Sequence, residues 1–202
     1  TLLAALILLA AGCRKEVPVS GQFVYGSVTA TVTVAARDAG QIQAVMDATR
    51  STSMRVLRSL DANDSKSDIS RLNKIAATSR WPVPQDTFRA LDLALHYGEQ
   101  TDGAFDITTG PLASMWGLPT GPAPREAPLP EILEVARQGA GLDQVRLTDD
   151  GAIAFLSPLT RLDLGEMTPA YALDMSLVNI RRRGITNTLA RFNGSLRALG
   201  AE

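Results

Sequence analysis

Two carboxylates, two hydroxyls and a Gly-Pro step crowd into one short stretch of this chain. Asp102 and Asp106 flank Gly103-Ala104-Phe105, Thr108 and Thr109 follow, and Gly110-Pro111 closes the run. A loop of that composition offers backbone N–H groups, small residues that permit close approach, and an aromatic face. Such a lining suits a flat, phosphorylated ligand. The same residues also make a capped turn that enters a buried strand, and their types alone leave both readings open. No nucleotide fingerprint of the Gly-rich kind accompanies them.

Elsewhere the chemistry is sparse. A single Cys excludes an internal disulfide, and no Cys/His set has zinc spacing. With one His, His96, a mechanism built on several histidines is excluded within this chain. The 20 basic and 21 acidic residues nearly cancel, so no basic excess points to nucleic acid. His96 beside Tyr97 reads as a structural or surface residue. Trp81 and Trp116 read as core or loop anchors, and Arg181, Arg182 and Arg183 as the solvated end of a helix.

The elements that must position these residues follow from periodicity. At 202 residues the chain is long enough for one domain with a sizeable core. Residues 1–13 are set apart: the apolar run Thr1–Ala11 is too short to span a bilayer and fits the apolar region of a signal peptide. Leu9-Ala10-Ala11-Gly12-Cys13 resembles a bacterial lipoprotein box, with Cys13 as the lipidated residue and Arg14-Lys15-Glu16 following. The segment is expected to start inside the signal, since it has no basic leader. Residues 14–21 are expected to form a tether and 22–202 the domain.

Gln22–Ala35 alternates and is rich in Val and Thr, which predicts a strand with a bulge or close approach at Gly26. Helical spacing is read over Asp38–Leu60, Pro84–Gln100, Glu131–Gly139 and Ala170–Gly184, and a short helical turn begins at Ser67, with Ser67 or Asp68 as its cap. Within Pro84–Gln100 the residues expected to face inward are Phe88, Leu91, Leu95 and Leu93. Thr101–Gly117 is expected to be a loop with a strand-like centre, and the five-proline run Leu118–Pro130 a surface excursion. Val145–Leu147 and Ala152–Leu156 read as paired strands around Asp149-Asp150-Gly151. Further strands are expected at Arg161–Leu164 and at Asn187–Phe192, the latter ending in an Asn193-Gly194 turn. This mixed order predicts an α+β domain rather than a doubly wound sheet.

Four segments in order resemble the FAD:protein FMN transferase family, the ApbE family. They are Val24-Tyr25-Gly26-Ser27; Ser67-Asp68-Ile69-Ser70-Arg71-Leu72-Asn73; Thr101-Asp102-Gly103-Ala104-Phe105-Asp106-Ile107-Thr108-Thr109-Gly110-Pro111-Leu112 with Trp116-Gly117; and Leu162-Asp163-Leu164-Gly165 followed by Tyr171-Ala172 and Asp174. The third is long and specific, and the resemblance covers roughly residues 20–200. It implies an ApbE-like α+β fold and magnesium-dependent transfer of the FMN half of FAD onto a Thr of an exported acceptor protein. FAD is then the substrate, and the chain sits on the extracytoplasmic face of the envelope membrane through its lipid. A relative that hydrolyses FAD, and a non-catalytic relative that binds flavin or is purely structural, are the alternative readings.

Residue by residue, the resemblance implies FAD contacts from Tyr25, Ala104, Phe105, Asp106 and Asp163. Glu166 is the one candidate magnesium ligand, set against a solvated or capping role, and Asp174 is expected to face the first turn of its helix. Pro169 stands where the family usually has Lys or Glu, and Ala170 where it has Gly. Pro169 is expected to remove a backbone donor. The family's usual metal-binding segment is expected downstream of this sequence, which reads as carboxyl-terminally truncated, and this polypeptide alone is expected to transfer FMN poorly.

Overall fold

The computed structural model describes residues 16–36, 39–75, 79–118, 124 and 126–200. Cys13 and residues 1–15 lie outside the described residues, as does most of the proline-rich excursion. Seven strands and six α-helices run in the order β1 (Val17–Tyr25), β2 (Val28–Ala36), α1 (Ala39–Ser59), α2 (Asp68–Ile75), β3 (Trp81–Pro82), α3 (Gln85–Gln100), α4 (Gly110–Met115), α5 (Pro130–Arg137), β4 (Val145–Leu147), β5 (Ala152–Phe155), α6 (Thr168–Arg182), β6 (Asn187–Phe192) and β7 (Ser195–Leu199) among the described residues. The fold is the expected α+β.

An antiparallel sheet in the order β1-β2-β6-β7 is the backbone of the molecule. Strand alternation puts Val28, Ala30, Val32, Val34 and Ala36 of β2 on one face, joined by Ala190 and Phe192 of β6. Against that face pack the two longest apolar stripes, Ile42, Val45, Val56, Leu57 and Leu60 of α1 and its end, and Tyr171, Ala172, Leu173, Leu177 and Ile180 of α6. Full burial of each such aliphatic side chain contributes ~1.5–3 kcal/mol. Phe23 meets Phe192 edge-to-face at 5.5 Å between ring centroids. A smaller sheet, β3-β5-β4, lies apart from it.

Small polar residues let α1 and α6 approach. Ser53 and Ser176 are fully buried, and their hydroxyls stand 2.7 Å apart. With one proton each, one hydroxyl donates across to the other, which in turn donates to the carbonyl four residues back in its own helix, Thr49 for Ser53 or Ala172 for Ser176. Neither hydroxyl is left unpaired in the core, where an orphan costs ~1–3 kcal/mol.

Several sequence expectations are corrected. Gln22–Ala35 is two strands, not one: Gly26 takes φ +54° in the turn of a hairpin, a conformation that Gly adopts without a Cβ penalty. The first strand begins at Val17, taking in residues read as tether, because they pair with Val32–Ala36. Thr101–Gly117 has no strand at its centre. It is a run of turns followed by α4. Arg161–Leu164 is not a strand either, since Leu162 pairs with a side chain instead of a neighbouring strand. On α3 the buried residues are Thr87, Ala90, Leu91, Ala94 and Gly98, with Phe88, Leu93 and Leu95 only half-buried. Trp81 and Trp116 are exposed rather than anchored in the core. His96 and Arg181–Arg183 are exposed as expected.

Candidate functional site

The cleft forms where four chain turns meet at one end of the large sheet. The β1–β2 hairpin supplies Tyr25, Gly26 and Ser27, and the β6–β7 hairpin supplies Asn193, Gly194 and Ser195. The end of α1 contributes Leu57, Leu60 and Asp61–Asn63. The approach to α6 contributes Asp163, Gly165, Glu166, Thr168 and Pro169. The enclosed volume is about 610 Å³, within the ~300–1,000 Å³ of small-molecule sites.

Each wall is fixed by local bonding. Asn193, at φ +49°, accepts the Thr29 N–H through Oδ1 at 2.8 Å and donates its own N–H to Thr29 at 2.9 Å, which locks one hairpin against the other. Asp61 accepts the Asn63 N–H at 2.9 Å and the Tyr25 hydroxyl at 3.3 Å. Burial and the adjacent Asp61 carboxylate push the Tyr25 phenol above its usual value. The Arg58 guanidinium stands 6.0 Å from the Tyr25 ring centre but lines the neighbouring groove, not this cleft.

Asp163 is held at three points. Its N–H donates to Ile107 at 2.8 Å, its Oδ1 accepts Gly165 N–H at 2.8 Å, and Leu162 before it is clasped by Asn73. Asn73 donates to the Leu162 carbonyl at 2.9 Å and accepts its N–H at 2.7 Å, so one side-chain amide completes both backbone bonds. Asn73 sits on α2, which Ser67 caps by accepting the Ser70 N–H at 2.9 Å.

Of the residues marked in the sequence, Tyr25, Asp163 and Glu166 come together in the cleft. Ala104, Phe105 and Asp106 do not line it. Their loop is a capped turn: Asp106 Oδ1 accepts both the N–H and the hydroxyl of Thr108, at 2.7 and 2.6 Å, and Thr108 in turn accepts the Gly141 N–H at 2.6 Å. Phe105 packs on the core. The loop reaches the cleft through the Ile107–Asp163 bond and through Gly110, where an added Cβ would lie 2.9 Å from Asp163 Cβ.

Asp174 is exposed and pairs with Arg197 at 2.8 Å rather than capping its helix. Pro169 costs α6 no hydrogen bond, because it lies in the first turn, where N–H groups have no helical partner. Asp61 and the positioning role of Asn73 went unread in the sequence. The Asp61-Ala62-Asn63 spacing, an Asp two residues before the N–H it caps, was the available signal for the first.

The sequence pattern described as the ApbE family matches residues 27–202. This chain belongs to the ApbE family. It is 29% identical over 167 residues to the FAD:protein FMN transferase of Salmonella typhimurium, covering 77% of this chain and 48% of that protein. With the FAD:protein FMN transferase of Haemophilus influenzae it shares 27% identity over 207 residues, 97% of this chain and 59% of that protein. The chain therefore spans about half the length of these curated ApbE relatives. The apo form of the Pseudomonas stutzeri flavinyl transferase ApbE superposes with a TM-score of 0.83 at 22% identity, over 93% of this chain and 62% of that one. The flavin transferase ApbE from Vibrio cholerae gives 0.79 at 21%, over 93% and 60%. These likenesses establish the ApbE fold.

Proposed function

We propose that this chain binds FAD and serves the transfer of its FMN half onto a Thr hydroxyl of an exported acceptor protein. The observation that carries the reading is the cleft that both Tyr25 and Asp163 line, walled by the two hairpins and the approach to α6, nearly all of it within or directly beside residues 27–202 that match the family. The Tyr25 ring offers a face for a flat ring system. Asp163 and Asp61 are acceptors for ribityl or ribose hydroxyls. Ala104, Phe105 and Asp106 act through the loop that fixes Asp163. In the reaction the Thr oxygen bonds to the FMN phosphorus, the bridging P–O bond breaks, and AMP leaves with that bond's electrons while the hydroxyl proton passes to solvent.

Magnesium, which the resemblance implies, lacks a ligand set: among the described residues no three His, Cys, Asp or Glu side chains come together to hold a metal ion. Glu166 alone cannot hold an ion that takes about six oxygens. No step in the proposal runs through it.

The test mixes the chain with FAD, magnesium and an acceptor carrying the target Thr, and reads covalent flavin by in-gel fluorescence. Slow labelling that vanishes when the acceptor Thr becomes Val is expected. Pro169→Lys with Ala170→Gly is expected to raise the rate by about tenfold or more, since a preorganised cation acts on charge that develops in the transition state. Flavin binding with no labelling by either protein would instead establish the second reading, a non-catalytic flavin binder. That reading is favoured by the absence of Lys and Arg from the described cleft lining.

The lipobox supports a further part of the proposal, that Cys13 carries lipid and holds the domain on the extracytoplasmic face. Among the described residues no helix is long and apolar enough to cross a membrane. Expression of the full precursor is expected to place the parent in the membrane fraction and Cys13→Ala in the soluble one. Equal partitioning of the two forms counts against lipidation.

A further inference from the structure

The charges lining the cleft are all of one sign. Asp61, Asp163 and Glu166 contribute carboxylates, and no Lys, Arg or His is among the described lining residues. The second common source of anion affinity, a helix N-terminus, is largely used up. Met167 and Thr168 both donate their N–H groups to the Leu164 carbonyl, at 3.1 and 2.9 Å, and Pro169 has none to give. In the first turn of α6 only the Ala170 N–H is left over, a single donor where other helices offer several to a phosphate. Arg58, the cation described beside Tyr25, opens onto the other groove.

Carboxylates accept hydrogen bonds and donate none, and each has about four lone-pair sites. Asp163 uses Oδ1 for the Gly165 N–H, and Asp61 has one protein donor on each oxygen, so capacity remains on both. What such a lining recognises is a neutral group rich in hydroxyl donors beside a ring that stacks on Tyr25. What it repels is a phosphate.

We propose that this cleft selects the uncharged, hydroxyl-bearing part of the flavin and disfavours its phosphates, so that in the absence of a divalent cation the chain binds riboflavin more tightly than FMN or FAD. The proposal rests on the flavin reading above and gives that site its ligand preference. It also states what catalysis requires: the pyrophosphate enters only with cations that this cleft does not supply.

The experiment titrates the full chain with riboflavin, FMN and FAD by flavin fluorescence, in a metal chelator. At low salt riboflavin is expected to bind about threefold tighter or more, the repulsion between unit charges roughly 6 Å apart in water. Raising ionic strength from about 0.01 M to about 1 M shortens the screening length from ~30 Å to ~3 Å, so FMN and FAD affinities are expected to rise toward that of riboflavin. Glu166→Gln, at an exposed position, is expected to strengthen FMN and FAD about threefold by removing one such repulsion, and so to narrow the gap to riboflavin. FMN or FAD binding tighter than riboflavin and weakening with salt overturns the proposal, because that is the behaviour of a built phosphate site; the flavin reading then survives. Equal affinities at every salt concentration also overturn it. If none of the three ligands binds the folded chain, the flavin reading itself is wrong.

Discussion

Replacing Asn73 with alanine is expected to cost the fold about 2–4 kcal/mol, because it strands two backbone groups at once. The Leu162 N–H and carbonyl both end on this one side chain, at 2.7 and 2.9 Å, and Leu162 is only 1% exposed. No neighbouring strand stands ready to take over these bonds. Unfolding in urea is expected to show the midpoint falling with little change in slope. Asn73→Asp retains the acceptor but turns an oxygen toward the Leu162 carbonyl, so it is expected to fall between alanine and the parent only at pH values low enough to protonate it. An unchanged midpoint for Asn73→Ala would mean that Leu162 finds other partners. Since Asp163 follows directly, riboflavin affinity is expected to drop in the fraction that stays folded.

Gly110→Ala is the second large effect, and it acts by volume rather than by lost bonds. The new Cβ would lie 2.9 Å from Asp163 Cβ, closer than such atoms approach, so one of the two must move. Asp163 cannot slide without breaking its bonds to Ile107 and Gly165. Overpacking of this kind costs about 1–3 kcal/mol. The displaced wall belongs to the cleft, so flavin affinity is expected to fall by about tenfold, or ~1.4 kcal/mol. Gly200→Ala, whose added methyl meets nothing within 4 Å, is the control. Unaltered flavin affinity in Gly110→Ala, with stability reduced, would detach Asp163 from ligand binding.

Periodic segments were legible from the residues alone. The stripes of α1, α3, α5 and α6 appeared within a few residues of their observed ends, and β4 and β5 flank the Asp149-Asp150-Gly151 turn as read. A capped turn at Ser67-Asp68 was also legible, because capping depends on a few adjacent residues, and the structure makes Ser67 the cap. What escaped depends on distant partners. Phe23-Val24-Tyr25 before Gly26 and the Val/Thr alternation of residues 28–34 after it are all good strand formers, so residue patterning does not mark where one strand folds back into a second. Leu162-Asp163-Leu164 alternates like a strand, yet its bonding partner is a side chain 89 residues earlier. Val17–Gly21, with Pro18 in it, reads as a short tether, and pairing with β2 decides otherwise. The resemblance pointed to Tyr25 and Asp163, while Asp61 stayed hidden in a polar run whose role appears only when the end of α1 meets the β1–β2 hairpin.

The hydroxyl contact between Ser53 and Ser176 has a kinetic consequence. It fixes the spacing of α1 and α6, and the ends of those same helices form two sides of the cleft. Prying the helices apart would expose a packed core and amount to partial unfolding. A ligand that enters the cleft is therefore expected to pass the two hairpin turns, and since turn fluctuations belong to the nanosecond-to-microsecond range, its residence time is expected to be set by contacts within the cleft rather than by a slow gate.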